Sequence, residues 1–206
     1  RDPLPSAIPM ATRTATPTPL PALTSAQLGD LAFPVPAVAG GVVQLEGGVG
    51  VASSPDGRHD VVVTLADMVT FGDLNGDDLD DAAVLLAVVR GDAAPFWMLG
   101  AVPRRVGTGE VTAMVSLGDE VIPRLMAIQS RRIILAMLRY TGEDTINSPS
   151  QDARRVYELV DNRLTPITIW DGPRQSAGVP KLIPMQEVPF APGTMATLVR
   201  SSLAPL

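Results

Sequence analysis

The stretch FGDLNGDDLDDAAVLLAVVR, residues 71–90, joins an acidic loop to a continuous apolar run. Five aspartates and one asparagine lie within nine residues, from Asp73 to Asp81, and eight apolar residues follow, from Ala82 to Val89. The apolar run has the length of a strand and is much shorter than the roughly 18–20 residues of a membrane span. Asn75-Gly76 is a strong turn dipeptide. We therefore expect a turn that leads into a central strand.

Short apolar or alternating runs recur on both sides of this stretch, separated by Gly, Asp, Asn or Pro. This pattern predicts a mainly antiparallel β domain, sandwich-like, with a β-rich α+β fold as the alternative. Asp161 and Asn162 are expected in the turn of a hairpin. Two segments could be helical, Thr24–Leu28 and Val121–Gln129, although neither shows strong caps. The predicted strands include VVQLE at 42, VVVTL at 61, AAVLLAVV at 82, FWMLGAV at 96, VTAMVSL at 111, RIILAMLRY at 132, RRVYELV at 154 and LTPITIW at 164.

Proline separates three regions of the chain. Residues 1–23 contain six prolines among Thr, Ala and Ser, which favours an extended arm or tether. Residues 24–171 form the expected β-rich domain. Residues 172–206 carry six more prolines and one possible edge strand, TMATLVR. A tether of this kind is typical of the spacer between a lipid anchor and an exported domain, and a frayed terminus is the alternative.

The composition excludes several classes of function. The net charge is −6 and the basic residues are scattered, which argues against nucleic acid as a partner. The chain has no cysteine, so thiolate metal sites, thiol catalysis and disulfides are absent. His59 is the only histidine, so no site can use two of them. Hydrophobic residues make up 46% of the chain, enough for a globular core.

The acidic loop has the spacing of a calcium site. Side-chain oxygens at loop positions 1, 3, 5 and 9 and a backbone carbonyl at position 7 are the arrangement that calcium loops use. The predicted ligands are Asp73, Asn75, Asp77, the Leu79 carbonyl and Asp81. An EF-hand is excluded, because Val84 stands where a bidentate Glu is needed. A turn whose aspartates bond the loop's own amides is the alternative.

Catalytic interpretations of the candidate residues are weaker. An acid/base hydrolase that uses Asp77 and Asp81 would need a cleft and a raised carboxylate pKa. His59 lies in a turn pattern before a strand, and no GxSxG motif accompanies it. The glycine-rich GGVGVASS, residues 47–54, favours a hairpin turn over a nucleotide loop. Trp97 and Trp170 are expected in the core or at an interface.

The loop and its surroundings resemble a known signature. GDLNGDDLDDAAVLL closely resembles the GDLDGDGxxDAAVVL signature of a family of uncharacterised bacterial exported proteins and lipoproteins, and the likeness covers about residues 24–165. The loop is also similar to the calcium loops of FG-GAP repeats, apart from Asp78 in place of the usual glycine. The resemblance implies an extracytoplasmic β-rich domain, and no established enzymatic activity comes with the family.

Together these patterns predict a non-catalytic accessory or structural subunit of a membrane-associated complex, with a respiratory or photosynthetic assembly as one host. It would lie in the periplasm or at the cell surface, have no transmembrane segment in this chain, and contact other protein subunits through its proline-rich arms. Calcium, if bound, would be structural, and no other cofactor is expected. The alternative is a free-standing exported module that binds a glycan or a peptide near the acidic loop and Trp97.

Overall fold

The computed structural model describes residues 22–104, 113–142, 144, 145 and 149–174, which contain one short helix and eleven strands. In chain order these elements are α1 (Ser25–Leu28), β1 (Ala32–Pro34), β2 (Val42–Gln44), β3 (Val49–Ser53), β4 (Asp60–Gly72), β5 (Asp81–Arg90), β6 (Phe96–Val102), β7 (Ala113–Gly118), β8 (Val121–Gln129), β9 (Arg132–Arg139), β10 (Gln151–Val160) and β11 (Arg163–Arg174). The mainly antiparallel β fold that the sequence predicts is confirmed.

Two antiparallel sheets make up most of the domain. The first has five strands in the order β3-β4-β5-β6-β7, and the second has four in the order β11-β10-β9-β8. Every strand pairs with a neighbour in the chain, so the sheets are meanders joined by the short connection between β7 and β8. A separate two-stranded ribbon pairs β1 with β2.

The central strand β5 is buried on both faces, which explains its continuous apolar run. Alternate residues of a strand point to opposite sides of the sheet. Ala82, Val84 and Leu86 enter one core cluster, whereas Ala83 and Leu85 enter another. A strand with one face in water would alternate apolar and polar residues, and β5 has no such face.

The two core clusters lie on opposite sides of the five-stranded sheet. The first core packs this sheet against the N-terminal layer, through residues such as Leu28, Phe33 and Val43. The second core packs it against the four-stranded sheet, through residues such as Leu99 and Ile133. The described part of the chain thus has three layers.

The N-terminal layer begins at a capped helix. Thr24 accepts a hydrogen bond from the backbone N–H of Gln27, and the Gln27 side chain accepts one from the backbone N–H of Thr24. This reciprocal pair is a capping box. The helix expected near Thr24–Leu28 is therefore present, but the expectation that it lacks strong caps was wrong.

The prediction of a second helix was wrong, because Val121–Gln129 forms strand β8. The pairing of β8 with β9 shifts between Pro123 and Leu125, which leaves Arg124 as an extra residue. Such a bulge breaks the alternation of a strand. Apolar residues on both sides of the bulge then follow a spacing that resembles a helix.

The hairpin expected at Asp161 and Asn162 is confirmed. Both residues have positive φ, 48° and 59°, and connect β10 to β11, which is typical of a type I′ turn.

Residues 1–21 and 175–206, with most of both proline-rich arms and the TMATLVR segment, lie outside the described residues. Among the helices that the structure describes, none is long and apolar enough to cross a membrane.

Candidate functional site

The acidic loop between β4 and β5 is a series of turns held by its own side chains. The Asp73 carboxylate accepts a hydrogen bond from the backbone N–H of Gly76. Asn75 Oδ1 accepts from the N–H of Asp77 at 2.9 Å, and Asp77 Oδ1 accepts from the N–H of Leu79 at 2.9 Å. Each of these bonds replaces a backbone partner that the tight loop cannot supply.

Asp81, at the first position of β5, is fully buried and holds the loop closed. Its Oδ2 accepts from the backbone N–H groups of Leu74 at 2.8 Å and Asn75 at 3.2 Å, and its Oδ1 accepts from the N–H of Arg104 at 2.8 Å. Burial raises the pKa of Asp81 above its ordinary value, although the three N–H groups act in the opposite direction. Because this carboxylate is enclosed, it does not fit the acid/base hydrolase considered from the sequence.

The loop also connects the two large sheets. Arg131, in the turn between β8 and β9, lies with its Nε 3.5 Å from Asp73 Oδ2. A Cβ at Gly72 would lie 2.9 Å from Ile128 of β8, so the sheets approach closely here. Partial burial tends to raise the pKa of Asp73, but the Gly76 N–H and the Arg131 guanidinium lower it below its ordinary value.

The five predicted calcium ligands therefore have different surroundings. Both oxygens of Asp81 are used by backbone N–H groups, whereas the side chains of Asn75 and Asp77 are exposed and that of Asp73 is half-buried. The described residues contain no group of three or more His, Cys, Asp or Glu side chains that could hold a metal ion. The arrangement fits a turn closed by Asp81, and calcium binding by Asp73, Asn75, Asp77, the Leu79 carbonyl and Asp81 stays a prediction.

His59 lies in a turn, as its sequence context indicates. The Ser54 hydroxyl donates to Asp56 and accepts the backbone N–H of His59 at 3.1 Å. Ser54, Asp56 and His59 thus close the turn before β4 and do not form a catalytic triad, in which the imidazole would contact the serine. Gly47 and Gly48 form the tight turn between β2 and β3, as expected for GGVGVASS; one antiparallel bridge between Glu46 and Val49 closes it, although β2 and β3 belong to different sheets.

The side of the four-stranded sheet that faces away from the second core carries a cluster of apolar residues, and we call this side the outer face. Strand register identifies it, because Ile133, Leu135 and Met137 of β9 point into the core and the alternate residues point away. The apolar residues of this face are half-buried or exposed. They include Ile122, Leu125, Ala127, Ile134, Ala136, Leu138, Val156 and Trp170.

One row of the outer face crosses all four strands. Leu125 of β8 pairs with Ala136 of β9, which pairs with Arg154 of β10, which pairs with Trp170 of β11. Leu125 is 50% exposed and Trp170 is 44% exposed. The core prediction for Trp170 therefore fails, and the interface prediction stays open. Sequence reasoning missed this face, although IILAML in β9 lacks the alternation of a strand with one side in water.

A cleft lined by aromatic and acidic residues lies at the start of β8. It has a volume of about 580 Å3, and its lining includes Trp97 and Tyr140 with Asp119, Glu120 and Asp144. Trp97 also packs against the second core, so its ring is half-buried. The volume falls within the range of about 300–1,000 Å3 that is typical of small-ligand sites.

Comparison of the chain with protein-family models, with curated proteins and with solved structures finds no match. The resemblance to the exported family consequently stays a prediction.

Proposed function

We propose that this chain is a non-catalytic accessory subunit of a membrane-associated protein complex and works outside the cytoplasm. The outer face carries the proposal. Its strands lie about 4.8 Å apart, and residues on the same side of a strand are about 6.6 Å apart, so eight apolar residues cover a footprint of roughly 250 Å2. A cluster of exposed apolar residues that includes a tryptophan is typical of an interaction site.

The extracytoplasmic location rests on sequence alone. The proline-rich segment 1–23 has the composition of a tether, and the GDLNGDDLDDAAVLL stretch resembles an exported family. In this proposal the arms run over neighbouring subunits while the outer face supplies the main contact. Deleting residues 1–23 is then expected to weaken association and to leave the β domain folded.

Co-purification from the source membrane tests the proposal. The full chain carries a tag, the membrane is solubilised, and proteins in stoichiometric amount are identified by mass spectrometry. Leu125→Asp places a charge on the outer face and should release the partner. Val51→Asp is the matched control, because Val51 is 64% exposed on the other sheet. A wild-type chain that brings no stoichiometric partner would count against the proposal.

We propose calcium in the acidic loop as a structural part of this function. The oxygens of Asp73, Asn75 and Asp77 and the Leu79 carbonyl would bind the ion. Asp81 would hold the loop in position through its hydrogen bonds to backbone N–H groups. Calcium at about 100 times its Kd would stabilise the fold by about 2.7 kcal/mol. Thermal unfolding with calcium should therefore shift upward, less so with magnesium, and not in Asp77→Asn. An unchanged wild-type midpoint would remove calcium from the proposal.

The cleft beside Trp97 favours a second candidate, an exported module that binds a glycan or a peptide. Aromatic rings and carboxylates in one cleft suit both ligands, because rings stack on sugars and carboxylates accept hydroxyl or amine hydrogens. An oligosaccharide and peptide array probed with the purified chain tests it. Binding should be lost in Tyr140→Ala and kept in Trp170→Ala, whose ring lies on the outer face. An array without any hit would reject this candidate.

A further inference from the structure

The polar residues among and around the apolar side chains of the outer face include several arginines. Arg132, Arg154 and Arg163 lie on this side of the sheet by strand register, and Arg124 is the exposed bulge residue of the edge strand β8. We call these four residues the arginine border. The same side carries two carboxylates, Asp152 and Glu158. Glu158 is taken by Arg132, with Arg132 Nε at 2.6 Å from Glu158 Oε1.

This local charge is opposite to that of the whole chain. The chain has a net charge of −6, yet strand register places three arginines and two carboxylates on the outer face, and Arg124 is exposed at the bulge beside them. Apolar side chains with arginines among and around them are typical of protein interfaces, in which arginine and tryptophan are enriched. Arg154 lies between Ala136 and Trp170, so its guanidinium would be covered when the face is covered.

We propose that the outer face docks a protein surface that is apolar in its centre and carries carboxylates opposite Arg124 and Arg154. This inference rests on the proposed function and names the chemistry of its partner. A guanidinium that loses water on docking needs an anionic partner, and carboxylates accept two parallel hydrogen bonds from arginine. The pairing would therefore select one partner and one orientation.

A second copy of this chain fits the face less well. In a twofold dimer the same patch meets itself, so the arginine border of one copy would face that of the other. Only Asp152 and Glu158 could offset this repulsion, and Glu158 already pairs with Arg132. Like charges brought together at an interface oppose association.

An anionic membrane surface also fits less well. Electrostatic attachment to lipid uses clusters of about four to eight cations with little competing negative charge. Here the remainder of the chain is acidic and would be repelled by the same surface. A sheet face is also flat and rigid, which suits a complementary protein surface.

Photo-crosslinking in isolated source membranes tests the inference with the full chain. Leu125→p-benzoyl-phenylalanine puts the probe in the row that contains Arg154, and the same probe at Val51 is the control. The expected product is an adduct with one other protein, identified by mass spectrometry, at Leu125 and not at Val51. Adding Arg124→Glu and Arg154→Glu should lower its yield about tenfold, because carboxylates would then face carboxylates.

Variants with the probe retained separate the possible failures. Arg58→Glu, at an exposed turn before β4, makes a similar charge change away from the face and should keep the adduct. Arg124→Gln and Arg154→Gln together remove charge without reversing it and should lower the yield less, which guards against a folding effect.

Each other outcome has a definite meaning. If neither the Glu nor the Gln substitutions of Arg124 and Arg154 change the yield of the adduct, the inference of an acidic partner is overturned. The proposed function would then still stand. A self-adduct or a lipid adduct at Leu125 would overturn this inference in favour of a dimer or a membrane surface. No adduct at Leu125 would overturn both the inference and the proposed function.

Discussion

Asp81 satisfies three backbone N–H groups from a fully buried position, so its removal should be costly. Asp81→Ala leaves these donors without partners, and we expect unfolding free energy to fall by about 3 kcal/mol. Asp81→Asn keeps one acceptor oxygen but turns an NH2 toward a donor, so about 1–2 kcal/mol is expected. Urea unfolding measures both values.

Asp80→Ala is the matched control, because Asp80 is the exposed neighbour of Asp81 in the same loop. It should change stability by less than about 0.5 kcal/mol. If Asp81→Ala were as mild as this control, the three hydrogen bonds would not hold the loop.

Asp78 stands in the left-handed region, with φ of 62°, at the position where calcium loops usually carry glycine. Glycine has no steric penalty there but loses more entropy on folding. We therefore expect Asp78→Gly to change stability by no more than about 0.5 kcal/mol, whereas the branched side chain in Asp78→Val should cost about 1–2 kcal/mol. Thermal unfolding of the two variants checks the difference, and equal midpoints would contradict the left-handed conformation.

Asp73 and Asp81, at the two ends of the loop, should make folding stability depend on pH in opposite directions. The pKa of Asp73 is lowered from 3.8, so its contribution to stability is present above pH 3.8 and is lost as pH falls through the folded-state pKa. The pKa of Asp81 is raised from 3.8, so its buried charge costs stability above the folded-state pKa. That cost is relieved as pH falls from there toward 3.8, because the folded state binds the proton first.

Carboxyl-carbon NMR titration tests both directions in the wild-type chain. Asp81 should titrate above 3.8 and Asp73 below it. In thermal unfolding, the stability difference between the wild-type chain and Asp73→Asn should shrink as pH falls below 3.8. Two carboxyls that titrate together would refute the environments described for them.

At the scale of elements, the sequence predicted strands correctly where the local pattern agrees with burial. The prediction was wrong where the pairing with a partner strand determines the conformation. The run Ala82–Val89 identified β5, and Asp161 with Asn162 identified a hairpin, because turn chemistry and apolar length are local properties. In β8 the bulge at Arg124 shifts the register, and only the partner strand β9 reveals it. The calcium spacing likewise described loop positions, but not that Asp81 would be enclosed.

The outer face could be predicted only in part. IILAML in β9 shows apolar residues at every position, which indicates two apolar sides. Sequence cannot say which side meets the core, because that depends on how the four-stranded sheet lies on its neighbour. Nor can it place Leu125, Arg154 and Trp170 in one row, since their strands are joined by pairing and not by sequence distance.

The position of β5 between two cores makes adjacent residues equally sensitive. Leu85 and Leu86 are both fully buried, one in each core cluster. Leu85→Ala and Leu86→Ala should each cost about 2–5 kcal/mol in urea unfolding, because each leaves a cavity. Val62→Ala, at a 37% exposed position of β4, is the control and should cost much less. A mild effect at either leucine would mean that one face of β5 is not covered.

At the scale of the whole molecule, the shared sheet should make the described domain unfold in one step. The described residues up to Arg174 belong to one compact unit, and both cores use the same five-stranded sheet. Losing the N-terminal layer would expose one side of β5, which also supports the second core. We therefore expect tryptophan fluorescence, dominated by Trp97 and Trp170, to change together with far-UV circular dichroism.

The substitution Phe33→Leu distinguishes one-step unfolding of the domain from stepwise unfolding. Phe33 is fully buried in the first core, whereas Trp97 packs against the second. In a cooperative domain the substitution should lower the free energy of unfolding by about 1–2 kcal/mol and shift the midpoints of both signals equally. This holds although neither tryptophan lies near Phe33 in the layers. If dichroism shifted and fluorescence did not, the N-terminal layer would unfold by itself and β5 would not couple the two cores. The sheet that carries the outer face would then remain folded without its N-terminal layer, and a chain lacking that layer would still form the photo-adduct at Leu125.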